Sequence, residues 1–232
     1  MTKSKFAIAG LAALALTGIP ALAQGGPGGP GGQPGGQTGI LERYIASLPL
    51  QTIDAAERAD LVAMRQEEKV ARDVYTFLGT VWGMQSFTNI AQSEQSHMDL
   101  VKLILDRYGI ADPLPNENLG TYGDPFFYGL FEALVIFGLQ SPLHALVVGE
   151  LIEDFDIVDL QQALTRTDNR DLGTVWQNLY RGSRNHLRAF FDQLAVQNYT
   201  YLPIFLSPAD YVAITTSDTE ARPVDENGDP LR

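Results

Sequence analysis

Between residues 54 and 196 the apolar positions recur three and four apart, the period of amphipathic helices and not the alternation of strands. Asp54 with Glu57 three residues later is a capping pattern, and it opens a predicted helix running to about Leu78. Gly79 and Gly83 mark a turn. A second helix starts near Ser86 or Thr88 and ends at Tyr108, with Gly109 as its stop. The stretch "ADPLPNENLGTYGDP" predicts a long irregular connection, followed by a short helix near Phe126 to Phe137. Ser141 before Pro142 places an N-cap and a first-turn proline at the start of a third long helix, which runs to roughly Leu164 and is open to a bend near Asp156. "TRTDNRD" separates it from a fourth helix, about Leu172 to Val196. The aromatic segment "YTYLPIFLSPADYVAI" is expected to strap back onto these helices. The fold class is all-α, with one long crossover between the second and third long helices.

Each helix carries a seam that is apolar at both ends and polar in its middle. The first reads Met64, Glu68, Ala71, Tyr75, and the second Ile90, Glu94, His97, Val101. The third reads Leu146, Glu150, Glu153, Ile157, and the fourth Leu179, Ser183, His186, Phe190. An unpaired ionised carboxylate in an apolar interior costs at least several kcal/mol, so it shifts its pKa or recruits a partner. No lysine or arginine falls in these seams, so a di- or trivalent cation is the simplest counter-charge. Carboxylate with imidazole suits iron, manganese or zinc better than calcium or copper(I). The spacing approaches that of a di-metal bundle, in which two helices give one Glu each and two give Glu-x-x-His. Glu68 fills one single position and Glu153 or Glu150 the other, Glu94 with His97 forms one full pair, and His186 belongs to a second pair that has Ser183 in place of Glu. Glu150 is weighed as the source of the missing carboxylate, with a mononuclear or asymmetric site as the competing arrangement.

The segments "MRQEEKVARDVY", "FTNIAQSEQSHMDLV" and "RGSRNHLRAF" resemble the bacterial and archaeal family named domain of unknown function 2202, within the ferritin-like superfamily. The resemblance spans about Leu61 to Ala195. It implies a ferritin-like four-helix bundle with a di-iron site and no established reaction. Position by position it carries Glu68, Glu94, His97, Glu153 and His186 over as metal ligands. Ser183 departs from the general ferritin-like pattern.

The flanks add a location. Lys3 and Lys5 precede the short apolar run Phe6 to Ile19, and "ALA" at 21–23 is a small-x-small cleavage signal. Residues 1–23 therefore read as a secretory signal peptide cut near Ala23, which predicts a periplasmic or secreted protein. Residues 24–39 read as a flexible Gly/Pro/Gln leader, 40–214 as the helical domain and 215–232 as a disordered acidic tail. The chain has no cysteine, which excludes disulfides, thiolate ligands and cysteine nucleophiles. Its formal net charge of −12 argues against nucleic acid and anionic membranes as partners. The basic cluster "RGSRNHLR" reads as surface ion pairing, His144 as a surface residue, Tyr75 chiefly as core packing, and Glu67, Asp73 and Asp99 as solvated charges.

Three functions follow as expectations. The first is a centre of iron (di-iron) or manganese reacting with dioxygen or peroxide, and the second a non-catalytic metal-binding or storage protein. The third is an envelope interaction module with a degenerate site. Metal ions are the partners common to the first two, and assembly as a homo-oligomer is left open.

Overall fold

The computed structural model describes residues 38–231, which open with a helix absent from the sequence reading, α1 (Thr38–Ser47). Its Leu41 and Ile45 are buried in one apolar cluster with Leu61, Ile104 and Trp176, so tertiary packing holds a helix of marginal length. α2 (Ala55–Trp82) starts as predicted. Asp54 Oδ1 accepts from the N–H groups of Ala56 and Glu57, and the Glu57 carboxylate accepts from the Asp54 N–H. Gly83 ends it in the left-handed region, with φ of 64°, where a side chain would be strained. α3 is Gln85–Arg107, the crossover helix α4 is Pro125–Gly138, and α5 is Pro142–Arg166 with Ser141 as its cap. α6 is Arg170–Val196 and α7 is Pro208–Thr215. Among the described residues there is no strand, only an isolated pairing of Val224 with Pro230.

α2 pairs with α3 and α5 with α6, and the two hairpins meet through α2–α5 and α3–α6 contacts. Glu57, at the start of α2, accepts from Thr167 and Asn169 at the end of α5. Arg107 at the end of α3 pairs with Asp171 at the start of α6. The hairpins therefore pack antiparallel, and the middles of all four long helices share one level of one interior.

The phase argument misplaced two charges on α2. Asp73 is buried, and its carboxylate accepts from Lys69 Nζ (2.5 Å), Arg72 Nε (2.9 Å), the Gly120 N–H (2.9 Å) and Tyr122 Oη (2.9 Å). The crossover after α3 lies over this face and is moored to it. Glu67 is buried as well, whereas Asp99 is exposed as expected. Lys69 and Arg65 are also buried on α2, but they turn toward the crossover: Lys69 donates to the Asn118 carbonyl as well as to Asp73 on its own helix, and Arg65 pairs with Asp112 and Glu117. His144, expected at the surface, is buried with its ring edge-on to Phe137 and its Nδ1 2.6 Å from Ser141 Oγ.

The flanks also differ from expectation. The expected signal peptide, and the expected leader up to residue 37, lie outside the described residues. Residues 216–231, expected to be disordered, are docked on α6. Glu220 pairs with Arg184 and Arg188, and its carbonyl accepts from Arg181 and Asn185. Asn178 holds both the N–H and the carbonyl of Val224, and Glu226 accepts from Tyr44 and Arg170. The tail's acidic composition suggested disorder, yet its acids meet the basic cluster of α6, which is thus used internally.

Candidate metal centre

Glu68 from α2, Glu94 and His97 from α3, Glu153 from α5 and His186 from α6 are all buried at the shared level. They form two groups whose ligand atoms lie within 4.8 Å of one another, Glu68–Glu94–His97 and Glu94–Glu153–His186. Glu94 belongs to both. Its Oε2 is 2.8 Å from His97 Nδ1 and its Oε1 2.8 Å from His186 Nδ1. His97 Nδ1 is also 3.2 Å from Glu68 Oε2, and His186 Nδ1 is 3.6 Å from Glu153 Oε1. The two imidazoles stack with centroids 5.6 Å apart.

Side chains around this set fix its orientation. Ser93 Oγ is 2.9 Å from His186 Nε2, which leaves Nδ1 turned toward the carboxylates. At the matching place on α6 stands Gly182, where a Cβ would overlap the His97 ring, so only glycine leaves His97 its position. Tyr75 Oη donates to Glu153 Oε1 at 2.5 Å while its ring packs on Phe87 and Phe190. It therefore packs in the core as expected and also hydrogen-bonds to the cluster.

Ser183 finds its partner one helix away. Its Oγ donates to Asp156 Oδ2 at 2.5 Å, and Asp156 lines the same interior pocket as Glu68, Glu94 and Glu153. The carboxylate facing Ser183 thus comes from Asp156 and not from Glu150. Sequence reasoning passed over Asp156 although a signal was present: it follows Glu153 by three, as His97 follows Glu94. Glu150 is fully buried one turn away and accepts instead from Tyr211 Oη at 3.0 Å.

The electrostatics are those of a crowded anionic interior. Burial, with Asp154 and Glu153 nearby, lifts the Glu150 carboxyl to about 9 against the one bond from Tyr211. Burial raises Glu68 to about 7 despite His97, and it raises Asp156 well above the usual carboxylate range, with Glu68 and Glu153 adding to the effect. Burial alone would raise Glu94 too, but His186 and His97 outweigh it and hold that carboxylate well below its ordinary value. Burial opposes protonation of His97, yet Glu68 and Glu94 raise it to about 9.

Glu150 yields a direct check on its exclusion from the cluster. Its folded pKa near 9 lies above the unfolded 4.5, so the native state holds a proton that the unfolded chain releases between those pH values. Its contribution is complete below about pH 4.5 and is lost as pH rises toward 9. Glu150→Gln removes that slope. Thermal melts of metal-free protein between pH 5 and 9 are expected to be flatter for the variant, with its bound-metal content equal to wild type. A loss of metal would restore Glu150 as a ligand.

The residues pass an independent test of fit to metal. Glu68 Oε1, Glu94 Oε1 and His186 Nδ1 are buried without a hydrogen-bond partner. Glu94 Oε1 and His186 Nδ1 form an ion pair at 2.8 Å without the alignment of a hydrogen bond, an orientation that suits two metal-ligand atoms aimed at a third point. Buried polar atoms left so are costly, and a shared cation satisfies them together.

The fold and site define an all-α protein with two interior carboxylate–imidazole clusters joined by one glutamate. The chain belongs to the family described as uncharacterized protein domain (DUF2202), whose model matches residues 57–218. It is 47% identical over 177 residues to uncharacterized protein MJ0754 of Methanocaldococcus jannaschii, covering 76% of this chain and 96% of that protein. It is likewise similar to the crystal structure of hypothetical protein MJ0754 from Methanococcus jannaschii, with a TM-score of 0.74 and 46% identity. That match covers 75% of this chain and 99% of the other.

Proposed function

We propose that this chain is a ferritin-like four-helix bundle whose interior holds two ions of iron or manganese and reacts with dioxygen or peroxide. The observation that carries the reading is the double cluster around Glu94, with its unpartnered buried ligand atoms. Glu68 and His97 would hold one ion, Glu153 and His186 the other, and Glu94 would face both. Bound there, iron or manganese supplies a one-electron redox couple and Lewis acidity. The protein's part is positional. Ser93 and Gly182 set the two imidazoles, Tyr75 holds Glu153 in place, and the apolar seams keep bulk water out. Metal-free His97 carries a proton up to about pH 9, which it must release to bind, so uptake releases protons and apparent affinity rises with pH toward that value. Export belongs to the same proposal, carried by Lys3, Lys5 and the run from Phe6 to Ala23. Among the described residues no helix is long and apolar enough to cross a membrane.

Elemental analysis of the purified chain after loading with iron(II) or manganese(II) tests the reading. Two ions per chain are expected, with proton release on binding. A chain that stays metal-free after loading defeats the proposal. Full loading without accelerated iron(II) oxidation leaves the storage reading in its place.

A further inference from the structure

The second ligand pair is short of one carboxylate, and α5 carries one that the five-residue set leaves unused. In a two-metal bundle of this type a glutamate three residues before His186 is the expected partner, and Ser183 stands there. Asp156 follows Glu153 by three residues, as His97 follows Glu94, so the members of each pair project from one face of their helix. Asp156 is 8% exposed and shares a pocket of about 40 Å³ with Glu68, Glu94 and Glu153. Glu67 completes that ring of acids, and no cationic side chain lines the pocket. Glu68, on its wall, keeps Oε1 buried without a hydrogen-bond partner. Asp156 itself is outside both close-set ligand groups: Ser183 Oγ holds its Oδ2 at 2.5 Å, and among the described residues no other group donates to this carboxylate.

We propose that Asp156 is a sixth metal ligand, supplying from α5 the carboxylate missing at Ser183, and that it is the group that secures the second ion. The inference rests on the metal reading above and deepens it. Two divalent ions bring four positive charges, and Glu68, Glu94 and Glu153 return three, since imidazoles bind as neutral ligands. The second ion therefore turns the sum from one negative charge to one positive, in an interior where an unbalanced charge is costly. An ionised Asp156 brings the two-ion state to neutrality. The neighbouring acids are otherwise engaged: Glu150 accepts from Tyr211, and Glu67 lies within electrostatic reach of Arg166. After burial, Glu68 and Glu153 act most strongly on the Asp156 carboxyl, and they come one from each ligand group, so Asp156 is near both positions. Ser183 is its positioning residue, a short hydroxyl that keeps the carboxylate beside the cluster.

Manganese(II) binding by the purified full chain, read by equilibrium dialysis with elemental analysis, tests this without turnover. Asp156→Asn keeps the size of the side chain and an acceptor for Ser183 but removes the charge. It is expected to bind the first ion as wild type does and the second about tenfold or more weaker. Thermal melts give a second readout. The metal-free variant is expected to melt no lower than wild type, because a buried acid is removed, while the rise in Tm on saturation with manganese(II) shrinks. Ser183→Ala leaves the carboxylate in place and is expected to retain both ions. Two ions bound by Asp156→Asn with wild-type affinity overturn the proposal and leave the metal reading standing. Loss of the second ion in Ser183→Ala alone also overturns it, since the hydroxyl would then be the ligand. A metal-free melt lowered as far as the loaded one makes the role of Asp156 structural and does the same. Wild type that takes up no ion, or only one, defeats the two-ion reading together with this one. If circular dichroism finds Asp156→Asn unfolded, crystals of manganese-loaded wild type decide. An Asp156 oxygen bonded to an ion supports the proposal, and a carboxylate bonded to Ser183 alone overturns it.

Discussion

Replacing Glu94 by alanine is expected to abolish metal uptake, whereas His186→Ala is expected to leave one ion bound. The asymmetry comes from geometry. Glu94 is the one side chain in both ligand groups, with one oxygen 2.8 Å from each histidine, while His186 belongs to the second group only. Without Glu94 each position loses a carboxylate, and each imidazole loses its nearest counter-charge. Without His186 the group Glu68–Glu94–His97 is complete. Parallel elemental analysis of the two variants and the wild type reads the outcome directly. Equal losses in both variants would mean that Glu94 is not shared, and the two-position arrangement would fail. Glu68→Ala gives the mirror control, expected to spare the ion between Glu153 and His186.

Asp154→Ala should produce the largest loss of stability away from the cluster. The carboxylate is fully buried on α5 and accepts from Tyr201 Oη (2.9 Å) and from the backbone N–H groups of Ile204 (2.6 Å), Phe205 (3.1 Å) and Leu206 (2.7 Å). Removing it strands donors that the segment cannot satisfy internally, at roughly 1–3 kcal/mol for each one kept from water. Rearrangement lets some of them reach solvent, so a net loss of about 3–5 kcal/mol follows. For a chain of this size that lowers Tm by about 10 °C or more. Hydrogen exchange at Ile204 to Leu206 should rise to the level of an open loop. Asp154→Asn, which keeps one acceptor oxygen, should fall between the two. Unchanged exchange at these amides would show that the segment is held by Phe205 packing alone.

The helices and the five cluster residues were legible because both follow from helical phase. A side chain in step with Leu61 and Leu78 faces inward, and Glu68 is such a side chain. Phase is silent about faces covered by something other than a long helix. Asp73 looked solvated because nothing in the spacing of α2 shows that Gly120 and Tyr122 fold down onto it from 47 and 49 residues away. Asp154 was hidden for the same reason. The tail misled through composition: its acids are numerous enough to suggest disorder, and only the placement of Arg184 and Arg188 shows where Glu220 goes. α1 was missed because Leu41 and Ile45 are too few to make a period by themselves. Asp156 is a different kind of omission. Its spacing from Glu153 was visible, but the seam was followed through Ile157, four residues on, and Ser183 was left without a partner until the structure supplied it.

The contact between Ser93 and His186 joins positions 93 residues apart along the chain. The cluster straddles that same gap, since the α2–α3 hairpin supplies three of its five residues and the α5–α6 hairpin the other two. An ion held between the hairpins would act as a removable cross-link that the unfolded chain cannot make, and its binding energy would add directly to the folding energy. Occupancy and resistance to heat would then be two measures of one quantity, and a chelator would act on such a metal-loaded chain as a denaturant.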